Sequence, residues 1–433
     1  MTKIWGRTWV TLLTLAVVSC GAASLNAPAL PKTSAKLPAS TASPTPEQSI
    51  APVGDFKPTV ILVSVDGFRH DYLSKYAPTN LKRIADQGVR AEALLPVFPT
   101  LTFPNHYSIV TGLLPDNHGI TANDIRDPNL PGVTFSLGAS SEITDDPRWW
   151  WGEPIWVTAE KQGQTAAAMF WPGSTAEIKG VRPTYYKKYD AKFPRDQRVQ
   201  QVLDWLDLPL ATRPTMITLY FEDVDSAGHG YGPDSTEVKK AIQEVDDAIG
   251  LLAKGLENRK LEDKVNLVFV SDHGMSAIDA DKVIALDKYI NLSDVEIISA
   301  GAFAQIFPKA GKLDAVFSAL KDAHPHMAVY KNGNLPARYR YGKSVRTAPI
   351  ICVPDEKFYI SQSPRKPSAA THGYDNELAV MRGFFVARGP AFKSKYTSGA
   401  FSNLHIYALV SEILGLTPAK NDGDLNAVRS LLK

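Results

Sequence analysis

The sequence predicts a doubly wound α/β fold, a mostly parallel sheet sandwiched by helices, on three observations. Near-continuous apolar runs recur along the chain, the pattern of strands buried on both faces of a parallel sheet. Between two of these runs lies a segment with helical periodicity. Acidic residues and histidines then follow the carboxyl ends of the runs, where such sheets gather their chemistry.

The first run is Thr59 to Val65, and Ala166 to Phe170, Met216 to Phe221 and Val265 to Val270 repeat it. Between the last two, Asp234 reads as a helix N-cap with Glu237 three residues on. Val238, Ile242, Val245, Ile249, Leu252 and Leu256 mark the buried stripe of that helix. The stretch from the Asp272-His273 pair to His372 holds short strands and a helix near Leu313 to Ala323. It reads as a small insert over about 280–365 within a catalytic domain of residues 57–433.

The N-terminus points to export. Lys3 and Arg7 precede a short apolar stretch, Thr11 to Val18, too short to span a bilayer core of about 30 Å, so residues 1–20 read as a signal peptide. Val17-Val18-Ser19-Cys20 resembles a bacterial lipobox, which implies a periplasmic or cell-surface lipoprotein anchored through Cys20. An ordinary cleavage near Ala22 is the alternative. Residues 21–56, rich in Ala, Pro, Ser and Thr, read as a flexible tether. Cys352 is the only other cysteine, so a lipidated Cys20 leaves no disulfide within the chain. The net charge of +2 offers no footprint for stable nucleic-acid binding.

Asp66 ends the first strand, Asp225 and His229 follow the Met216–Phe221 run in what reads as a glycine-flanked loop, and Asp272 and His273 follow Val270. His372 lies in Thr371-His372-Gly373. A single Asp after a strand is ordinarily a turn former, and a lone His a hydrogen-bonded structural residue. Six such residues at one edge point to a metal centre. Nitrogen and oxygen donors without thiolate suit zinc, and manganese or iron are chemically acceptable. Thr102, with Pro104 two residues on, reads as a helix N-cap. A hydroxyl there faces free N–H groups and a dipole that favours anions, and beside a cation it can act as a nucleophile.

Thr102-Phe103-Pro104-Asn105-His106-Tyr107, Val110-Thr111-Gly112-Leu113-Leu114-Pro115 and His118-Gly119-Ile120 resemble the nucleophile block of one family: the nucleotide pyrophosphatases/phosphodiesterases of the alkaline phosphatase superfamily. Gly152-Glu153-Pro154-Ile155-Trp156, Phe170-Trp171-Pro172-Gly173-Ser174, Asp225-Ser226-Ala227-Gly228-His229 and Ser271-Asp272-His273-Gly274-Met275 follow in the family's order. Without the extra domains of animal members, the chain resembles the compact bacterial form. The resemblance implies an alkaline phosphatase-like fold and two zinc ions per chain. One zinc would be held by Asp225, His229 and His372, the other by Asp66, Asp272, His273 and the Thr102 hydroxyl. It implies that Thr102 attacks phosphorus to give a phospho-threonyl intermediate that water then hydrolyses. Asn123 and the N–H of Phe103 would donate to a phosphoryl oxygen. Phe103, Tyr186 and Tyr220, with Trp171, would line a nucleobase pocket, making a small nucleotide or phosphodiester the substrate. The remaining histidines, His106 and His118 among them, are expected to be structural.

Monoesterases of the superfamily often keep a Lys-x-Arg pair after the tryptophan segment. Glu177 to Arg182 lacks it, although Lys179 keeps a phosphomonoesterase reading open beside a phospholipid-headgroup phosphodiesterase. A catalytically silent metal-binding protein is the third reading, and the seven competent residues at the ligand positions speak against it.

Overall fold

Apolar residues alternate between the two faces of each central strand, so a layer of helices must cover both. The computed structural model describes residues 56–433; the signal peptide, the lipobox at Cys20 and nearly all of the tether lie outside them. Eight strands form the main sheet, in the order Tyr396–Ser398, Val89–Ala91, Phe385–Arg388, Val265–Val270, Thr59–Val65, Met216–Phe221, Ala166–Met169 and Tyr185–Lys187. The central pairings are parallel, and Phe385–Arg388 runs antiparallel to its neighbours. Val60 and Leu62 pack into the core on one face, Ile61, Val63 and Val65 into the core on the other.

The helix Thr236–Asn258 covers the second face through Val238, Ile242, Val245, Ile249, Leu252 and Leu256, the stripe read from the sequence. Its N-cap is Ser235, whose hydroxyl accepts from the Val238 N–H at 3.1 Å, and not the expected Asp234, which pairs with Lys75 instead. The helices Thr102–Thr111 and His405–Leu414 cover the first face. The strand expected over Ala166 to Phe170 stops at Met169, because Phe170 turns into the left-handed region at φ 64°.

Within the stretch read as an insert lies a four-stranded antiparallel sheet, ordered Val295–Ser299, Ala304–Pro308, Ile350–Pro354 and Met327–Lys331, with the helix Leu313–Leu320. It has its own small core around Leu286, Ile306, Leu320 and Ile350. Arg346 ties it to the main body. The fully buried guanidinium donates to Asp127 at 2.7 Å and to the carbonyls of Gly119, Trp149 and Arg148.

Candidate active site

Strand register assembles the site. Val65 pairs with Phe221 and Ser64 with Val270, so the residues after all three central strands emerge at one level of one edge. Asp66 follows the first strand directly, and Asp272 and His273 follow Val270 after Ser271. Asp225 and His229 are not in a loop, as the glycines suggested. They lie four residues apart in the helix Asp223–Tyr231, a spacing that puts both side chains on one face. Gly67 makes the close approach possible. It has φ +68°, and a Cβ there would lie 2.8 Å from Cα of Asp225. His372 arrives beside the short antiparallel pairing of Ser276–Ala277 with Ala370–Thr371, and its ring stacks on His273 at 3.5 Å.

The three imidazoles share one orientation. Nδ1 of His229 donates to the Ala370 carbonyl at 3.0 Å, that of His273 to Gly274 at 2.9 Å, and that of His372 to Thr100 at 2.9 Å. A carbonyl only accepts, so each Nδ1 carries a proton, and in the neutral ring each Nε2 presents a lone pair. Those lone pairs face carboxylates. Nε2 of His229 and of His372 each lie 3.5 Å from Asp225 Oδ1. Nε2 of His273 lies 2.9 Å from Asp272 Oδ2 and 3.5 Å from Asp66 Oδ1. Asp66 Oδ1, Asp225 Oδ1 and Asp272 Oδ2 are buried with no hydrogen-bond partner. Acceptors crowded on acceptors away from water are costly unless cations lie between them. Asp225, His229 and His372 form one group with metal-ligand spacing, Asp66, Asp225 and His273 another, and Asp66, His106 and Asp272 a third.

The electrostatics differ from group to group: burial lowers the His273 imidazole, but Asp272 and Asp225 outweigh it and raise it above its usual value. Burial raises the Asp66 carboxyl well above the ordinary range, and Asp272 and Asp225 add to this against the Tyr220 hydroxyl bond. Burial raises Asp225 too. Burial also opposes ionisation of Asp272, but His273 and His106 outweigh it and hold that carboxyl well below the usual range. His372 is pushed well below the usual imidazole value by burial and by its histidine neighbours, which suits a neutral ligand.

Thr102 is the first residue of its helix, one position later than expected. Leu101 occupies the N-cap position, so the hydroxyl caps nothing and lies 3.2 Å from His273 Nε2. The Phe103 N–H donates to Asn123 Oδ1 at 2.9 Å. This bond engages the expected second donor and leaves the amide nitrogen as the donating end of Asn123.

A cavity of about 370 Å³ opens beside Thr102. Phe103, Trp171 and Tyr220 line it, as do Phe170, Trp150 and Tyr189. Tyr220 also donates its hydroxyl to Asp66 Oδ2 at 2.6 Å, so one side chain serves the wall and a carboxylate. Tyr186 is not among the lining residues; it lies in the edge strand Tyr185–Lys187, 36% exposed. Tyr189, which sequence reasoning missed, takes the wall, edge-on to Phe170 at 5.3 Å. The signal for it was its place past the carboxyl end of that strand, the same edge that carries the ligands. Lys179 does not line the cavity either, and its ammonium lies 3.5 Å from Glu153.

Comparison with known proteins bears on this arrangement. The family model described as Type I phosphodiesterase / nucleotide pyrophosphatase matches residues 60–375. A venom phosphodiesterase of Crotalus durissus collilineatus is 38% identical over 88% of this chain and 47% of its own length. Human ectonucleotide pyrophosphatase/phosphodiesterase family member 5 is 38% identical over 86% of this chain and 78% of its own length. The chain thus spans about half the length of the venom enzyme. The solved structure of murine ectonucleotide pyrophosphatase/phosphodiesterase 5, an inactive form in complex with AMP, superposes with a TM-score of 0.84 at 38% identity. It covers 87% of this chain and 100% of that one.

Proposed function

The chain belongs to the type I phosphodiesterase / nucleotide pyrophosphatase family, and from that premise we propose that it hydrolyses nucleoside 5′-phosphodiesters and nucleotide pyrophosphate bonds, releasing nucleoside 5′-monophosphate. The observation that carries the reading is the shared orientation of His229, His273 and His372, whose Nε2 atoms face partnerless carboxylates beside an uncapped threonine hydroxyl. Asp225, His229 and His372 would hold one zinc, and Asp66, Asp272, His273 and the Thr102 hydroxyl the other. A zinc pair supplies charge stabilisation for the attacking and leaving oxygens in turn. Thr102 Oγ1 forms a bond to phosphorus as the bond to the leaving oxygen breaks. The nucleotide stays on Thr102 until water releases it. Asn123 donates from its amide nitrogen to a phosphoryl oxygen, a contact worth about 3 kcal/mol in the transition state. The base enters between the aromatic walls, where stacking contributes about 1–3 kcal/mol without strong base preference. The AMP complex of the murine neighbour supports a nucleotide occupant. Export with an anchor at Cys20 belongs to the same proposal, on the N-terminal pattern and the ectoenzyme names of the relatives.

The test is a side-by-side assay of the chain without residues 1–20, with added zinc. The substrates are p-nitrophenyl thymidine 5′-monophosphate, bis-p-nitrophenyl phosphate and p-nitrophenyl phosphate. A strong preference for the nucleotide diester is expected. Faster monoester hydrolysis would overturn the substrate assignment while leaving the metal site standing.

A further inference from the structure

A fourth imidazole repeats the bond that orients the three ligands, with a different outcome at its far nitrogen. Nδ1 of His106 donates to the Thr102 carbonyl at 2.9 Å, so this nitrogen also carries the proton. Its Nε2, however, lies 2.8 Å from the hydroxyl of Ser64, on the first strand two residues before Asp66. The lone pair therefore accepts from serine and has none left for a metal. The ring is completely buried, and Asp272 Oδ2 lies 3.3 Å from its Nδ1. His106 also touches the cavity wall. Its ring is edge-on to Trp171 at 5.1 Å and to Tyr220 at 5.3 Å, and its carbonyl accepts from Trp171 Nε1 at 3.1 Å.

We propose that His106 is a positioning residue: anchored by Ser64, its Nδ1–H holds the backbone of Thr102 in register with the Asp272 carboxylate, setting the nucleophile over the metal that Asp272 binds. The proposal rests on the assignment of Thr102 as nucleophile and Asp272 as zinc ligand. It differs from two simpler roles on its face. A ligand would turn a lone pair to the carboxylates, and a space filler would not need two opposed polar partners in a dry site. An imidazole with both nitrogens engaged keeps one ring orientation, which is how outer partners fix the geometry of metal ligands.

Two substitutions separate these roles. The side-chain amide of His106→Asn can place an N–H where Nδ1–H stands, whereas His106→Leu keeps bulk and removes the donor. The readouts are zinc affinity by chelator competition, zinc content, and kcat and KM for p-nitrophenyl thymidine 5′-monophosphate. We expect His106→Leu to lose roughly 10- to 100-fold in zinc affinity and in kcat, with KM little changed. His106→Asn should recover most of both. Equal tolerance of Asn and Leu would reduce His106 to packing, and loss of one zinc equivalent in both variants would make it a ligand; either result overturns the proposal. Should the leucine variant fail to fold, Ser64→Ala carries the test, since it frees the ring to turn; unchanged zinc affinity and kcat there would equally overturn it. Failure of the functional reading looks different. In that case the unsubstituted chain would not turn over the diester, while zinc affinity would still report on His106.

Discussion

At the scale of single residues, the site depends on groups whose neighbours leave them no alternative. Gly67 is the clearest backbone case. Its left-handed φ of +68° costs an L side chain about 1–2 kcal/mol, and a Cβ would lie 2.8 Å from Cα of Asp225. Gly67→Ala should therefore lower stability in urea titration by at least that much and weaken zinc binding, because Asp225 must shift to admit the methyl group. On the cavity wall, Tyr189→Ala should raise KM for p-nitrophenyl thymidine 5′-monophosphate about ten-fold, in line with one lost stacking contact, and leave bis-p-nitrophenyl phosphate hydrolysis nearly unchanged. Equal losses on both substrates would remove Tyr189 from base binding. The Asp and His residues that gather at this edge were readable from sequence because such residues at strand ends announce themselves by type and position. Tyr189 and His106 were not. A tyrosine past an edge strand and a histidine inside a helix reveal their roles only through neighbours distant in sequence.

At the scale of elements, long periodic segments were legible and their ends were not. Thr59–Val65, Met216–Phe221 and Val265–Val270 have the bounds that their apolar runs predict, because burial on both faces keeps such strands predominantly apolar. The caps moved by one residue, Asp234 yielding to Ser235 and Thr102 to Leu101. Local capping chemistry at such positions competes with tertiary partners: Lys75 takes Asp234, and His273 takes the Thr102 hydroxyl. The helix bearing Asp225 and His229 was hidden by its glycines. Met275 packs closely against Gly228 there: a Cβ would lie 3.0 Å from the methionine methyl, tighter than ordinary contact. The insert was visible as a stretch of its own but its attachment was not, since Arg346 and Asp127 are far apart in the chain. Arg346→Ala leaves Asp127 buried without its partner, and removing one member of such a pair costs on the order of 3–5 kcal/mol. Guanidinium or urea titration should show that loss, while zinc content under native conditions is retained.

At the scale of the whole molecule, stability should depend on pH through histidines that the fold keeps neutral. His118 is completely buried, and burial lowers its pKa from the usual 6.5 to about 3. Between those values the unfolded chain binds a proton that the folded chain refuses, so stability falls as pH drops below about 6.5, by about 1.4 kcal/mol per unit for this group. Urea midpoints at pH 7 and pH 5 on the zinc-free chain should show the decline, and His118→Asn should flatten it. An equal slope in that variant would assign the dependence to other groups. The same architecture places the chemistry. Parallel strands of matched register deliver carboxylates to one edge, helices on both faces bury them, and the cavity opens where the helix Thr102–Thr111 begins.

Thr102 carries the chemistry proposed for this chain. The most direct measurement is an acid quench of a single turnover with a nucleoside 5′-phosphodiester in the presence of zinc, followed by mass spectrometry of the peptide that contains Thr102, with Thr102→Ala in parallel. The account predicts a transient nucleotide adduct on Thr102, no adduct and no turnover in the alanine variant, and unchanged zinc content in both. Turnover by the alanine variant at the rate of the unsubstituted chain would contradict it.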